Sequence, residues 1–269
     1  MILLPDVPLA AAAAAKLVHY QAEVDARPTY AERVAEAKRL FGLRNQRGED
    51  AFDAVKEALD RMCSGARRCA YCEDSMADEV EHVRPKDLYP DVVFAWSNYV
   101  YACGPCNGPK GSHFAVFPEG TDELVVVSRK PKAEIVPPIA GAPALIDPRA
   151  EDATTFMWLD LRDTYKFTPL GKKGTRPYER AKYTIDTLHL NDRDALSRAR
   201  RAAYVDYVNF VRRYERDRDA KSPPAHLSWL AGELRGRQHP TVWREMKRQR
   251  EQLPELRELF ASVPEAAAW

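Results

Sequence analysis

Between Cys69 and His113 the chain collects side chains whose types and spacing point to shared chemistry. Two Cys-x-x-Cys pairs, Cys69/Cys72 and Cys103/Cys106, are separated by 30 residues. Four thiolates on two tight knuckles suit a tetrahedral, closed, structural Zn²⁺ site. A segment this short buries too little apolar surface to fold alone, so metal binding stands in for core. The competing reading, disulfides or ordinary buried thiols, fits poorly with a reducing compartment.

The segment between the knuckles adds reactivity. Glu81 offers a hard oxygen ligand beside His82, an imidazole able to take a proton near neutral pH. Asn107, just past the second knuckle, can bring a second oxygen towards Glu81. Mg²⁺ or Mn²⁺ accepts such sparse ligation, because Mg²⁺ keeps several waters and takes substrate phosphate. Phosphodiester hydrolysis needs an activated water, a cation facing the developing charge and a stabilised leaving oxygen. His82 with a cation on Glu81 and Asn107 meets that list. The alternative is a catalytically inactive zinc-ribbon binding or scaffold protein.

The run Cys69-x-x-Cys72, Glu81-His82 followed by Pro85, Asn98 before an apolar run, and Cys103-x-x-Cys106-Asn107 with Lys110 resembles the HNH (ββα-metal) nucleases. The resemblance implies a β-hairpin feeding a helix that begins near Cys103. It makes His82 the general base, Glu81 and Asn107 the catalytic-metal ligands, and Asn98 a scaffold that holds the catalytic loop through backbone hydrogen bonds. Cys69, Cys72, Cys103 and Cys106 hold the structural zinc. Glu81 stands where many members carry Asp. The last metal ligand is Asn107 or His113, with Asn107 preferred. Arg84, Lys86 and Lys110 are candidate nucleic-acid contacts, Arg84 being the better placed for phosphate.

These residues need a frame. An α+β, mostly α-helical fold is expected, with the nuclease module at residues 67–118. Residues 1–66 read as helical: one helix after Pro8, a second from the Thr29 cap to about Phe41, and a third ending before Gly65. Cys63, on that third apolar stripe, reads as a buried thiol rather than a fifth ligand. Residues 119–175 read as an extended segment with a strand at Leu124–Val127, several prolines (Pro131 among them), and a hairpin about Arg162-Asp163. Residues 176–269 read as helices, the longest carrying many arginines. His19, His189, His226 and His239 lack neighbouring ligand types and read as structural or exposed.

The formal net charge is +1, which excludes nothing, but its distribution is uneven. Residues 172–250 carry 20 Lys/Arg against 10 Asp/Glu, which suits a polyanion or a set of solvated helix faces. The N-terminal stretch lacks the form of a signal peptide and no run reaches the length of a membrane span, so a cytoplasmic protein is expected.

A second resemblance extends from Cys69 to Arg201. Leu145-Ile-Asp147-Pro148, then a hairpin, then Thr184-Ile185-Asp-Thr-Leu188-His-Leu190-Asn191 and an Arg-rich helix are similar to the PtuB-type HNH proteins. Those are encoded beside an ATPase in Septu and some retron antiphage systems. This implies an antiviral-defence endonuclease, a hydrolase acting on double-stranded DNA or, as the alternative, a ribonuclease cleaving tRNA. The chain has no phosphate-binding loop of its own, so any ATPase is a separate subunit. One HNH site cuts one strand, so a double break calls for a homodimer or two successive events.

Overall fold

A computed structural model describes residues 1–130 and 132–269; Pro131 lies outside the described residues. Helices dominate, with small sheets between them. The N-terminal part is α1 (Ala11–Asp25), α2 (Tyr30–Arg44) and α3 (Asp50–Met62). In α2 the Thr29 side chain accepts from Glu32 N–H while the Glu32 carboxylate accepts from Thr29 N–H, a reciprocal cap that fixes the helix start. Glu49 caps α3 in the same sense, accepting from the Ala51 and Phe52 N–H groups.

The central hairpin is β1 (Glu79–His82) and β2 (Tyr99–Ala102), antiparallel, with Glu81 opposite Val100 and His82 opposite Tyr99. The short helix α4 (Gly104–Lys110) follows directly. Successive strand side chains point to opposite faces, and this alternation joins two cores. Val80, Tyr99 and Tyr101 pack with Leu17, Phe41, Phe52 and Val55 of the N-terminal helices. Val100 and Ala102 face the larger core, which holds the four knuckle cysteines and most of the C-terminal helices.

Beyond the knuckles a three-stranded sheet forms, ordered β4 (Val125–Val126), β3 (Ala115–Phe117), β5 (Ala142–Pro143). The sequence predicts only the strand near Val125; β3 and β5 are additions. Gly141 lets β5 approach, because a Cβ there would sit 2.5 Å from the Phe117 carbonyl oxygen. The expected hairpin is present as β6 (Met157–Leu159) and β7 (Phe167–Pro169). The C-terminal helices are α5 (Arg176–Thr187), α6 (Asp194–Asp219), α7 (Pro224–Arg235), α8 (Pro240–Arg248) and α9 (Pro254–Ser262).

Part of the basic charge in this region is met by internal pairing. Arg180 forms a fork with Glu151, Arg218 meets Asp219 and Glu265, Arg244 meets Asp152, and Arg248 meets Glu245. Arg198, Arg201, Arg212 and Arg216 stay exposed. Cys63 is half-buried, its Sγ directed at the Leu59 carbonyl at 3.3 Å, and burial pushes its thiol up to about 12. No helix among the described residues is long and apolar enough to cross a membrane.

The N-terminal layer carries a pH-sensitive element. The buried Glu36 carboxylate accepts from Arg39 Nε at 2.8 Å and from Arg27 Nη2 at 2.9 Å, and the Arg39 hydrogen bonds above all hold its pKa near 2 rather than 4.5. A depressed carboxylate pKa adds stability above the unfolded value and loses it as pH falls towards the folded value. Glu36→Gln is therefore expected to cost about 1–2 kcal/mol at neutral pH. Urea titrations of both proteins will show that gap shrinking below pH 4.5; a gap independent of pH contradicts the ion-pair account.

Candidate functional site

The four cysteines converge. Their sulfurs all lie within 4.8 Å of one another, all four residues are buried, and all are free of disulfides. The Cys72 and Cys103 sulfurs are 3.8 Å apart. A tetrahedron with Zn–S bonds of about 2.3 Å has edges of about 3.8 Å, whereas a disulfide is about 2.05 Å. The arrangement can hold a metal such as zinc. Each knuckle is a tight turn: Glu73 N–H donates to Cys69 O at 2.9 Å, and Cys106 N–H donates to Cys103 O at 3.0 Å.

Groups far away in sequence surround the knuckles. Arg193 Nη2 donates to Cys106 Sγ at 3.2 Å while the same guanidinium holds the Leu188 and His189 carbonyls. A tetrathiolate around Zn²⁺ carries a net −2 charge, and this guanidinium offsets part of it. Glu73, inside the first knuckle, accepts from Thr241 N–H at 3.0 Å and Oγ1–H at 2.7 Å. His239 Nε2 lies 3.2 Å from Asp74 Oδ1. The expectation that His19, His189, His226 and His239 lack ligand-type neighbours fails for all four: His19 meets Glu23, His189 meets Asp192 and His226 meets Asp217 within nine residues of chain, and His239 meets Asp74 across 165 residues.

His82 ends β1 on the face turned to the N-terminal helices. Its ring packs against Phe41 (centroids 4.5 Å apart) and Tyr99 (5.1 Å). Nε2 lies 3.0 Å from the Val93 carbonyl oxygen. A carbonyl only accepts, so Nε2 carries the hydrogen and Nδ1 keeps its lone pair. Burial, more than the nearby Lys86 charge, brings the imidazole down to about 3, so it is neutral at physiological pH. With Glu81, Pro85, Lys86, Asp87, Gly111 and Ser112 it lines a cleft of about 200 Å³. Gly111, at φ 41°, ends α4 and turns the chain into that cleft. Asp87, paired with Lys38 at 3.4 Å, is a cleft residue that no local motif singles out.

Asn98 is buried and makes three backbone bonds: it accepts from Arg84 N–H at 2.8 Å and donates to Arg84 O (3.1 Å) and Val92 O (3.0 Å). These pin the segment after His82 to the segment that carries Val93. Arg84 is exposed with its guanidinium over Tyr89, and Lys86 is half-buried over Phe41. His113 is exposed beyond the cleft wall.

Two expectations meet a different geometry. Glu81 projects from the opposite face of β1 to His82, towards α4, where the buried Lys110 ammonium forms an ion pair with it and also donates to His82 O at 2.8 Å. Lys110 is thus inside the molecule, away from any phosphate. Asn107, one helical turn earlier, donates to Glu79 rather than facing Glu81. Strand spacing explains this: Glu79 and Glu81 share one face, and the helix sets Asn107 over the first and Lys110 over the second. A catalytic Mg²⁺ or Mn²⁺ held jointly by Glu81 and Asn107 does not fit this arrangement, because an ammonium already occupies the cation position against Glu81. Among the described residues, the four cysteines are the one cluster of three or more His, Cys, Asp or Glu side chains close enough to ligate a metal together.

Burial raises the Glu81 pKa, and the Lys110 charge opposes that rise. Removing one partner of such a buried pair costs about 3–5 kcal/mol, whereas replacing both with apolar or neutral groups costs much less. Lys110→Met is expected to lower the urea midpoint sharply, and Lys110→Met with Glu81→Gln to recover most of it. Equal losses in the single and double variants would rule out the pairing.

The site defines a mostly helical protein with a four-cysteine, metal-competent hairpin whose first strand ends in an oriented histidine. Over 64 residues the chain is 44% identical to the Septu protein PtuB of Bacillus thuringiensis. That similarity covers 22% of this chain and 24% of the relative, so the two are related over about a quarter of either length. No family model matches the chain, and no solved structure matches it.

Proposed function

We propose that this chain is an HNH-type endonuclease that hydrolyses phosphodiester bonds, with DNA as substrate and residues 67–118 as the nuclease module. The observation that carries the reading is the His82 imidazole, fixed by Val93 O in the tautomer that leaves Nδ1 free as a proton acceptor. In the reaction, Nδ1 takes the proton of a water as that water attacks phosphorus, and the opposite P–O ester bond breaks, its leaving oxygen taking a proton from solvent. The Val93 carbonyl, still bound to Nε2–H, stabilises the imidazolium that forms. Arg84 contacts a phosphate beside the cleft, and Asn98 holds the Arg84 backbone in place for it. Zn²⁺ on the four cysteines is structural, fixing β1 and α4 relative to each other. The local similarity to a Septu protein supports a role in antiphage defence, with a separate ATPase subunit as partner.

Zinc-loaded protein incubated with supercoiled plasmid and, in parallel, with total tRNA tests this reading. Mg²⁺, Mn²⁺ and EDTA arms show whether a divalent ion joins once substrate enters. Nicking of plasmid is the expected result. Cutting of tRNA alone replaces the substrate assignment, and cutting of neither, with the co-expressed ATPase present, overturns the activity.

A further inference from the structure

Beside the His82 cleft opens a wider cavity of about 600 Å³, and the two share a border, because Asp87 and Ser112 line both. The charge of its lining is one-sided. Lys38, Arg129, Lys130 and Lys132 stand against one carboxylate, Asp87. The rest of the wall is mainly aliphatic, with Val34, Leu88 and Ile135, and it holds no aromatic ring.

The chain between β4 and β5 carries three of these cations and is fastened in place. Val127 N–H donates to Phe114 O at 2.9 Å, two residues beyond Ser112. Arg129 then clips it to the segment after His82: Nη1 donates to Asp87 O at 2.9 Å and Nη2 to Val136 O at 3.2 Å, with the guanidinium over the Tyr30 ring. Tyr30, at the start of α2, donates its hydroxyl to Leu88 O at 2.8 Å. Arg129 is thereby a fastener, and the lysines remain available. Lys38 meets Asp87 at 3.4 Å in a solvent-open pair, and an ammonium with three donors can serve a second acceptor. Lys130 and Lys132 are exposed and make no ion pair among the described residues.

Three such ammonium groups call for a polyanion, and the wall between them narrows the choice. A nucleic-acid backbone alternates charged phosphate with sugar, as the lining alternates lysine with aliphatic surface. Without an aromatic ring the groove has no platform for a base. Aliphatic contact would also leave a ribose 2′-hydroxyl unpaired, so deoxyribose fits better. The volume lies within the range of small-molecule sites, about 300–1,000 Å³, enough for a nucleotide or two of one strand.

We propose that this groove holds the sugar–phosphate backbone of the DNA strand being cut, to one side of the scissile bond, with Lys38, Lys130 and Lys132 on its phosphates. It positions the strand without reading its sequence. The placement beside a scissile bond rests on the endonuclease reading, whereas binding is measurable without cleavage.

Fluorescence anisotropy of short labelled single strands, titrated with zinc-loaded protein across a salt series, is the direct test. Lys130→Gln with Lys132→Gln is expected to lower the slope of log affinity against log salt by about 1.4, two single-strand contacts at about 0.7 each. Thymine-only and mixed-sequence strands should weaken alike. Arg212→Gln with Arg216→Gln removes the same charge from exposed positions outside the groove and should keep the wild-type slope. An unchanged slope in the lysine variant, or an equal fall in the arginine variant, overturns the groove. RNA bound as tightly as DNA overturns the deoxyribose assignment, and poly-glutamate competing as well as DNA overturns the phosphate assignment. Groove-dependent binding with no plasmid nicking would sink the nuclease reading and leave the groove standing. Nicking by the wild type, with no slope change in the lysine variant, does the reverse.

Discussion

Cys103→Ser is expected to release the zinc and to unfold the larger core with it. The four cysteines lie in the same buried cluster as Val100, Ala102, Phe114, Leu145, Leu190 and Tyr207, so a metal held there would tie the hairpin to the C-terminal helices. Zinc binding to four thiolates contributes about 10–16 kcal/mol, as much as the whole net stability of an ordinary domain, roughly 5–15 kcal/mol. Serine leaves three thiolates and a hydroxyl that does not ionise, and it strands the Arg193 guanidinium beside a weaker site. Zinc content by elemental analysis and the near-ultraviolet dichroism of the core aromatics will both fall. A soluble, zinc-loaded and natively folded Cys103→Ser protein contradicts the four-cysteine site.

The second large effect concerns His82. Removing a general base is expected to lower cleavage by about 10²–10⁴-fold. Alanine is a poor probe, because His82 is 2% exposed between Phe41 and Tyr99, and emptying such a position creates a cavity and leaves Val93 O with the Tyr99 hydroxyl as its remaining donor. Glutamine reaches Val93 O with its amide N–H and fills most of the space, but supplies no basic nitrogen. His82→Gln should therefore keep its zinc and its thermal midpoint to within a few degrees while losing cleavage. If cleavage survives, another residue of the cleft is the base; Asp87 is the nearest carboxylate in its lining that is not locked to Lys110.

Residues at short range were legible in the sequence. Tyr30, Val34, Ala37, Leu40 and Phe41 recur at helical spacing and form α2, and the Thr29 cap begins it. The two Cys-x-x-Cys knuckles announced the tetrathiolate, since each closes through bonds three or four residues long. Residues 176–269 read as helical, and α5 to α9 form there, α6 being the long arginine-bearing one. The strands β3 and β5 were not legible, because a run of two or three residues shows no alternation and 24 residues of turn-rich chain separate the two.

The site was legible in its membership more than in its geometry. Glu81-His82 stood out, yet a strand points neighbouring side chains to opposite faces, and only the hairpin register reveals that Glu81 meets Lys110 instead of sharing a ligand with the His82 side. Lys110 looks like a surface cation in sequence. Its burial comes from α4 packing over β1, 28 residues away. The Arg193 contact to Cys106 spans 87 residues and the Glu73 contact to Thr241 spans 168, and no local signal marks either.

The most direct test of the account is nicking of supercoiled plasmid by wild-type and His82→Gln proteins, each zinc-loaded and matched for fold by dichroism, with Mg²⁺ or Mn²⁺ present. The account predicts relaxed circles from the wild type and none above background from His82→Gln. Equal nicking by the two proteins contradicts it.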